Sequence, residues 1–562
     1  MAQARADIDA LSSPALYVLD RNTNIGYVVF ESDSDIVAGV AKIFPLFFLA
    51  VAALVCITTM TRMIDEERTQ IGILKALGYS GGAIMGKYLA YSGTASFAGC
   101  LLGLLLGSTL FPSIIWHAYG IMYDFSDQLT LSYDPFSIVF IFLSYTGLIL
   151  LVTWNCCRRE LKEVPAELIR PKPPVSGKQI FLEKMFFWKK LKFLNKVAIR
   201  NIFRYRQRLA MMLLGIGGCT ALLITGFGLY DSVSDIVSFQ FETVTLYDIG
   251  VSFHEPLTEE DQQEFLEANP EQEILFCYQG SVDLDFDDRV KNVYFVATDR
   301  DLEGFIDLHL GEKDVAMPGP NEALISIGAA TSMGIEVGDT VKLRNADLEE
   351  LTVTVSGIYD NNVNNYAIVS GDTLRAQWGR EPELQTAYVL AHEGQNLKDL
   401  GEQISACDGV LTMSINQDLA DTVGGMMEAL DAVIVVVVVC AGLLAGIVLY
   451  NLTNINIQER IREIATIKVL GFNALETASY VFKENLTLTV FGTLVGLWAG
   501  KWLHAAVMSY VRIDMVWFAN RINPESYVIS AVLTILAALI VDFVMYFRLE
   551  KINMAEALKS VE

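Results

Sequence analysis

Two short strings in the sequence match motifs that carry chemistry in other proteins. The string GYSGG at 78–82 fits the G-x-S-x-G pattern of serine hydrolases, in which a strand precedes the serine and a helix follows it. Here an amphipathic helical pattern precedes the serine, so we interpret the match as chance. The string DLDFDD at 283–288 resembles the start of a calcium loop, but Asp288 stands where that loop requires glycine. Leu284 and Phe286 alternate with acids, which predicts a strand with one solvated face.

The remaining candidates for chemistry are scattered. The histidines show no metal-ligand spacing; they are His117, His254, His309, His392 and His504. No G-x-x-x-x-G-K-[ST] string occurs, so any P-loop ATPase would be another polypeptide. We therefore predict no catalytic residue, no metal and no cofactor in this chain.

The eight cysteines do not form a disulfide framework. Six lie in or at the ends of apolar runs, where cysteine behaves as a small hydrophobe. Cys277 and Cys407 fall outside those runs. Whether these two pair or stay free is left open at this point, because sequence spacing does not define disulfide geometry.

The composition is both apolar and acidic. Of the 562 residues 52% are hydrophobic and 19% are charged, and the net charge is −25. Soluble domains average roughly 45–50% apolar and about 25% charged residues. The composition therefore favours a membrane protein, and the acidity excludes a general nucleic-acid binder.

The apolar residues and the acidic residues occupy different parts of the chain. Seven apolar runs approach the roughly 20 residues that a spanning helix needs; they are 43–61, 88–116, 135–157, 209–230, 432–450, 486–500 and 526–541. The last two are long enough only if Lys501 snorkels and Asp542 lies near a helix end. Segment 232–428 holds 38 acidic and nine basic residues and mixes strand and helix patterns. This segment predicts a compact α+β domain.

The basic residues indicate the topology, because Lys and Arg collect in cytoplasmic loops. Segment 158–208 holds 15 of them, whereas loop 117–134 holds none. Alternation then places 232–428 outside and the C-terminus in the cytoplasm. It also places residues 1–42 outside, although they show no signal peptide. Two explanations stay open: a short translocated tail, or an upstream spanning segment, which we favour.

The sequence contains an internal repeat. Residues 66–80 and 459–473 align without a gap at an offset of 393, and the glycines Gly99, Gly103 and Gly107 then align with Gly492, Gly496 and Gly500. The strings VPAELIR (164–170) and NMAEALK (553–559) align at an offset of 389. Segments 43–170 and 432–559 are therefore two copies of one module, each with three spanning helices and a short cytoplasmic helix after the first.

The repeated residues have physical interpretations. Glycines four residues apart let helix backbones approach closely in a membrane, and we expect them to pack within the chain rather than at a dimer seam. Ile71, Leu74 and Leu77 lie opposite polar residues, which predicts an amphipathic helix ending near Gly78, and near Gly471 in the second copy. Such a helix either lies on the membrane surface or docks on a partner; its duplication favours docking.

These residues resemble the FtsX-like permease family. The resemblance rests on DEERTQIGILKALGYS after the first apolar run, on its copy IQERIREIATIKVLGFN and on the PAELIR and MAEALK exits. Segment 194–232 resembles the start of a permease core, and 321–361 is similar to the extracytoplasmic domain of these permeases. The resemblance implies a core of four helices, complete in 209–230 plus 432–547. It also implies that the first core lacks its opening helix, as in the C-terminal part of a large two-core Gram-positive member.

The resemblance further implies that each cytoplasmic helix is a coupling helix, which docks on a separate ATP-binding-cassette ATPase, expected as a homodimer. The residues carried over are Glu66, Gln70, Ile71, Lys75 and Gly78 in the first copy, and Glu459, Glu463, Ile464, Lys468 and Gly471 in the second. The second copy has Glu463 at a position that is usually acidic in the family, and the first copy has Gln70 there. The resemblance therefore does not imply that the two helices contact the ATPase equally.

Together these observations predict a polytopic α-helical membrane protein with about seven transmembrane helices in two related permease modules and one extracytoplasmic α+β domain. The expected segments follow in chain order: 1–35, the tail of a first extracytoplasmic domain; 36–170, the first module with coupling helix 64–78; 171–208, a basic linker; 209–231, the helix opening the second core; 232–428, the acidic domain; and 429–562, the second module with coupling helix 457–471.

The leading hypothesis is a permease subunit of an ABC transporter in a bacterial plasma membrane. ATP hydrolysis by the partner would move the extracytoplasmic domain, and the expected activity is export or extraction of a peptide or lipid-linked substrate. The expected partners are the ATPase, the bilayer, and an extracytoplasmic lipoprotein or peptide. The alternative is a signalling or scaffold protein that senses a peptide or regulates a cell-wall hydrolase. An ion-coupled carrier is disfavoured, because only Asp431 and Asp542 lie near the apolar runs.

Overall fold

The computed structural model describes residues 25–120, 129–170, 206–345, 348–392, 394–510 and 516–551. Two predicted segments lie largely outside this description: residues 1–24 of segment 1–35 and residues 171–205 of segment 171–208. Within it, seven helices are long and apolar enough to cross a membrane, which confirms the number expected from the sequence.

The first module consists of three long helices and two short ones. They are α1 (Ile25–Glu66), α2 (Arg68–Ala76), α3 (Gly81–Tyr119), α4 (Pro135–Glu160) and α5 (Pro165–Ile169). Ser80, the serine of the GYSGG string, caps α3 by accepting a hydrogen bond from the backbone NH of Ala83 (3.2 Å). Asp134 caps α4 in the same way, with proline at the first helical position.

The acidic domain follows α6 (Arg206–Ser238), which continues as a π-helical turn, Phe239–Val244. Its strands are β1 (Ile249–Phe253), β2 (Glu273–Phe286), β3 (Arg289–Thr298), β4 (His309–Leu310), β5 (Lys313–Asp314), β6 (Glu322–Ser326), β7 (Thr340–Arg344), β8 (Glu350–Tyr359), β9 (Tyr366–Ser370), β10 (Thr386–Leu390) and β11 (Val410–Ile415). Its helices are α7 (Glu259–Ala268), α8 (Ile327–Met333), α9 (Gly371–Trp378) and α10 (Leu397–Ser405).

Nine of these strands form one sheet in the order β11-β1-β10-β2-β3-β9-β6-β8-β7. The far end of β2 also pairs with β7, and this pairing closes strands β2, β3, β9, β6, β8 and β7 into a ring. Val282, Leu284 and Phe295 lie buried inside the ring. The DLDFDD string ends β2 and turns through Asp287 and Asp288, both at positive φ, so its interpretation as a half-buried strand is confirmed.

The domain contains no disulfide between its two cysteines. Cys277 is buried in β2, Cys407 follows α10, and both are free. Of the two alternatives left open by the sequence, the unpaired one is the state of this structure. Burial raises the pKa of the Cys277 thiol to about 12, so this group behaves as an inert core residue.

The second module consists of α11 (Asn416–Glu459), α12 (Ile461–Val469), α13 (Ala474–Tyr510) and α14 (Pro524–Glu550). The membrane core forms around α6, whose buried residues include Met212, Ile216, Leu222 and Leu229. They pack with residues of α11, α13 and α14, and α1 contributes Val51 and Phe44. The fold is thus a polytopic helical membrane protein with one extracytoplasmic α+β domain, as expected from the sequence.

Candidate functional site

The two short helices α2 and α12 follow the first long helix of their modules after an identical break. Helix α1 ends at Glu66 and α11 ends at Glu459, and in each case one non-helical residue intervenes before the short helix. The ends of α1 and α11 lie side by side. Asn451 Nδ2 of α11 donates a hydrogen bond to Thr59 Oγ1 of α1 (3.1 Å). Both short helices therefore lie at the same end of the membrane bundle.

Each short helix closes with the same glycine turn. Gly78 and Gly471 both have φ of +92°, where a side chain would be strained. The backbone NH of Tyr79 donates to the Leu74 carbonyl (3.1 Å), and that of Phe472 donates to the Ile467 carbonyl (3.4 Å). These bonds satisfy carbonyls at the helix end, so the glycines shape the tip of the site.

The predicted isoleucines face the protein. Ile71 is 2% exposed and packs with Ile64, Tyr88 and Leu168, while Ile464 is fully buried in the membrane core. In this structure the two isoleucines attach the short helices to their own modules. Direct contact with a partner would have to come from other residues of α2 and α12.

The predicted lysines are also turned inward. Lys75 Nζ donates to the Leu161 carbonyl (2.8 Å) and the Glu163 carbonyl (2.6 Å) after α4. Lys468 Nζ donates to the Leu549 (2.9 Å) and Glu550 (3.1 Å) carbonyls at the end of α14. Both ammonium groups lie where a helix leaves carbonyls unsatisfied and its dipole favours a cation. Each lysine therefore ties a short helix to the last long helix of its module.

The first short helix has additional polar contacts at moderately exposed positions. Glu67 accepts hydrogen bonds from Lys87 Nζ (2.6 Å) and Tyr88 Oη (2.7 Å), and these bonds hold the pKa of the Glu67 carboxyl below its usual value. Arg68 pairs with Glu163 and lies 3.6 Å from a carboxylate oxygen of Glu160.

The second short helix uses a buried ion pair instead. Arg460, at the position equivalent to Glu67, donates to the Glu484 carboxylate at 2.7 Å, with both side chains almost completely buried. Its Nε also donates to the exposed Glu463 at 3.1 Å. The two short helices are thus held by the same lysine contact but by different ionic groups.

Each short helix is followed by an exposed apolar tip, formed by Leu77, Gly78 and Tyr79 in the first copy and by Leu470, Gly471 and Phe472 in the second. Leu77 is 70% exposed and Leu470 is 72% exposed. Exposed aromatic rings follow each glycine. Sequence reasoning did not single out these rings, although the repeat alignment already placed Tyr79 opposite Phe472.

The predicted polar residues surround these tips. Gln70 and Glu463 are exposed at equivalent positions, as are Glu66 and Glu459. A cavity of about 240 Å³ opens beside the first tip, between α2 and the start of α3. It is lined by Glu67, Gln70, Ile71, Leu74, Tyr79, Ala83, Ile84, Lys87 and Tyr88.

The repeated glycines lie in two different environments. In the second copy all three are buried against α6: a Cβ at Gly492 would lie 2.8 Å from Ile216 Cβ, and one at Gly496 would lie 2.6 Å from the Gly217 carbonyl oxygen. In the first copy a Cβ at Gly99 or Gly103 would meet no described atom within 4 Å. The predicted close packing is therefore present around α13 and is not made by the described residues around α3.

The other chemistry-bearing residues do not converge. Among the residues described here, no three His, Cys, Asp or Glu side chains lie together in a way that could hold a metal ion. The described residues instead bring together two equivalent exposed tips, each attached to three membrane helices of its module.

Two family models match this chain. The FtsX-like permease C-terminal model matches residues 42–165 and again 435–554, and the MacB-like periplasmic core domain model matches residues 209–406. Together they cover most of the chain, and the duplicated match coincides with the internal repeat. The chain belongs to the FtsX-like family of ABC transporter permeases and is a multi-pass membrane protein.

A curated relative and two solved structures are similar to parts of the chain. An uncharacterized ABC transporter permease of Methanocaldococcus jannaschii is 20% identical over 325 residues, which are 54% of this chain and 81% of the relative. The extracellular domain of the noncanonic ABC-type transporter YknZ from Gram-positive bacteria is 13% identical, with a TM-score of 0.22 over 28% of this chain and 89% of that one. The periplasmic region of MacB from Actinobacillus actinomycetemcomitans is 11% identical, with a TM-score of 0.23 over 33% of this chain and 96% of that one.

Proposed function

We propose that this permease is the membrane subunit of an ABC transporter in a bacterial plasma membrane, and that α2 and α12 are its coupling helices. The partner is a separate ATPase homodimer, and each apolar tip docks on one of its subunits. The observation that carries the proposal is the duplicated tip: two exposed leucine-glycine-aromatic surfaces at one end of the bundle, on helices otherwise held firmly inward. Exposed apolar patches with polar rims are typical of protein interaction sites.

The topology follows from this assignment. The tips, the basic segment 158–208 and the C-terminus lie in the cytoplasm, and the acidic domain lies outside. Helix α11 supports this arrangement, because it begins directly after β11 of the domain and ends beside α12. Its 44 residues span about 66 Å, more than a bilayer with its headgroups.

The domain is joined to the bundle by contacts that would carry movement outward. Gln240, buried in the π-helical turn after α6, donates to Asn361 Oδ1 (2.9 Å) and accepts from the backbone NH of Asn362 (2.7 Å). The Asn362 carbonyl in turn accepts from the backbone NH of Trp517, between α13 and α14 (2.8 Å). A displacement of α6, or of the connection between α13 and α14, would therefore be passed to the domain through these contacts.

In the proposed cycle, closure of the ATPase dimer pushes the two tips, and the lysine contacts pass the force to the ends of α4 and α14. The extracytoplasmic domain then changes its position, which exports or extracts a peptide or lipid-linked substrate. An extracytoplasmic lipoprotein or peptide is the further partner of this scheme. The family resemblance supports this substrate class.

The test is to purify the tagged chain in mild detergent from its native membrane and to identify what remains bound. We expect an ABC ATPase whose ATP hydrolysis is retained in the complex. Leu77→Arg and Leu470→Arg, singly and together, should remove the ATPase, because a charge at each apolar tip opposes docking. Val337→Arg is the matched control, since Val337 is an exposed apolar residue of the acidic domain.

A signalling or scaffold protein is the second candidate, and the large acidic domain is the feature that favours it. A cell-wall hydrolase or a kinase bound to the wild type, with no ATPase present, would replace the transporter proposal with this one. Retention of the ATPase by the double tip variant would show instead that the tips are not the docking surface.

A further inference from the structure

A cavity of about 590 Å³ lies between α13 and α14 of the second module, within the range of about 300–1,000 Å³ that is usual for ligand sites. Its wall is mainly apolar and includes three polar residues, Ser479, Lys483 and Asp542. Leu475, Leu539 and Phe543 are exposed at its edge, so the cavity opens on the lipid-facing surface of the bundle.

A charged residue forms part of this wall at membrane depth. Asp542 is 6% exposed and lies eight residues before the end of α14, about 12 Å along the helix. One of its oxygens accepts a hydrogen bond from Asn485 Nδ2 (2.6 Å), and the same amide donates to Thr453 Oγ1 (2.9 Å). An acid inside a membrane is costly and is a functional-site candidate for that reason.

The internal repeat shows that these charges are not common to the two modules. At the aligned positions of the first module, Ala90 replaces Lys483, Ser92 replaces Asn485 and Thr153 replaces Asp542. The basic residue and the acidic residue of the cavity are therefore particular to the second module. Together they offer a cation at the rim and a carboxyl in the wall.

We propose that this cavity binds one membrane phospholipid whose headgroup carries both a phosphate and a primary ammonium, as in phosphatidylethanolamine. An acyl chain fits the apolar wall, which in a bilayer excludes water. Lys483 pairs with the phosphate, and Asp542 accepts a charge-assisted hydrogen bond from the ammonium. The positions of Lys483 and Asp542 along their helices agree with this assignment, because both residues lie towards the end of the membrane bundle that carries α12.

The bound lipid would contact both helices that hold the second coupling helix. Leu475 belongs to the first turn of α13, directly after α12, and Tyr546 lies one turn before the α14 carbonyls that accept from Lys468. An occupied cavity would therefore brace α12 against the bundle. This inference concerns lipid binding and stands whether or not the tips dock on an ATPase.

The experiment is native mass spectrometry of the delipidated full chain, titrated with phosphatidylethanolamine, phosphatidylcholine or phosphatidylglycerol of the same acyl composition. We expect the ethanolamine lipid to bind at least tenfold more tightly than the other two. Choline lacks an N–H donor for Asp542, and glycerol lacks the cation. Asp542→Asn should reduce ethanolamine-lipid affinity to the level of the choline lipid.

Two further variants and one control complete the design. Lys483→Met should weaken all three lipids, and Ser479→Trp should block all binding, because Ser479 lies at the exposed edge of the cavity. Lys501→Met, an exposed lysine on the same helix outside the cavity, should change nothing. Equal affinity for the three lipids in the wild type would overturn the headgroup assignment, even if Asp542→Asn fails to fold. Unchanged binding in Ser479→Trp would overturn the site itself.

Discussion

Gly103 in α3 and Gly496 in α13 occupy equivalent positions of the two modules, but only Gly496 is buried against another helix. The second module packs around α6 and forms the centre of the membrane bundle, whereas most of the surface of α3 is exposed. The short helix of each module nevertheless ends in the same glycine turn and makes the same lysine contact. The comparison teaches that the end carrying the short helix is built from contacts within one module, which both copies make, and that packing of the membrane face depends on a helix outside the repeat.

The largest expected difference between the copies comes from their ionic groups. Arg460→Leu should destabilise the protein by about 3–5 kcal/mol, because it leaves the Glu484 carboxylate buried without its cation. Arg68→Leu should cost less, about 1–2 kcal/mol, since Arg68 and its partners are 12–37% exposed and water reaches them. Thermal unfolding of the purified variants in detergent measures both effects. Similar losses would mean that the two short helices are held with equal strength.

The second largest expected difference between the copies is the effect of a side chain on the glycine faces of α3 and α13. Gly496→Leu should destabilise by about 1–3 kcal/mol or more, because its side chain would collide with the backbone of α6. Gly103→Leu should stay within about 0.5 kcal/mol, since no described atom lies near that position. Melting temperature and monodispersity in size-exclusion chromatography provide the comparison. A large effect of Gly103→Leu would show that α3 is covered by a helix in the purified protein.

The lysine contacts should behave alike in the two copies. Lys75→Met and Lys468→Met each remove two hydrogen bonds to helix carbonyls while keeping the apolar stem, and each should cost about 1–3 kcal/mol locally. Hydrogen exchange of the α2 and α12 amides should accelerate in the respective variant only. The matched arginine variants should retain part of the protection. An effect in one copy alone would restrict the lysine contact to that module.

The smallest expected effect depends on pH and belongs to the first module alone. Lys87 and Tyr88 stabilise the ionised Glu67 carboxyl and lower its pKa from 4.5. Between the lowered pKa and pH 4.5, the unfolded chain therefore binds more protons than the folded chain. The contribution of the ionised Glu67 carboxyl to stability is full above pH 4.5 and is lost as the pH falls through the lowered pKa. The hydrogen-exchange protection of α2, corrected for the intrinsic exchange rate at each pH, should fall on acidification, and Glu67→Gln should abolish that dependence. Helix α12, which is preceded by Arg460 at the equivalent position, serves as the internal control.

The sequence predicted much of the fold because its main signals are local. Seven apolar runs, one acidic block and a gapless repeat were enough to give the number of spanning helices and the α+β domain. The interpretation of Leu284 and Phe286 as strand residues depended on alternation alone and is confirmed, and the strand ends at Phe286. The closure of the domain ring by β2 and β7 could not be foreseen, because the pairing of distant strands leaves no local pattern.

The candidate site was predictable in location but less so in the direction of its side chains. The repeat identified α2, α12 and their terminal glycines. Periodicity suggested that Ile71 and Lys75 lie on opposite faces, yet both contact the protein, because a long lysine side chain can reach around to the end of α4. The repeat alignment showed the exposed rings Tyr79 and Phe472 only as two aromatic residues at equivalent positions.

What the sequence by itself determined were the properties that depend on neighbours along the chain: apolar length, charge segregation, the duplicated module and the glycine stop of each short helix. Only the tertiary structure decided which glycine face packs and which lysine atoms bind which carbonyls. It also decided where Asp542 lies relative to Lys483. These outcomes depend on contacts between residues tens to hundreds of positions apart, such as Gly496 with Gly217 and Lys468 with Leu549, and no local pattern encodes the direction of such contacts.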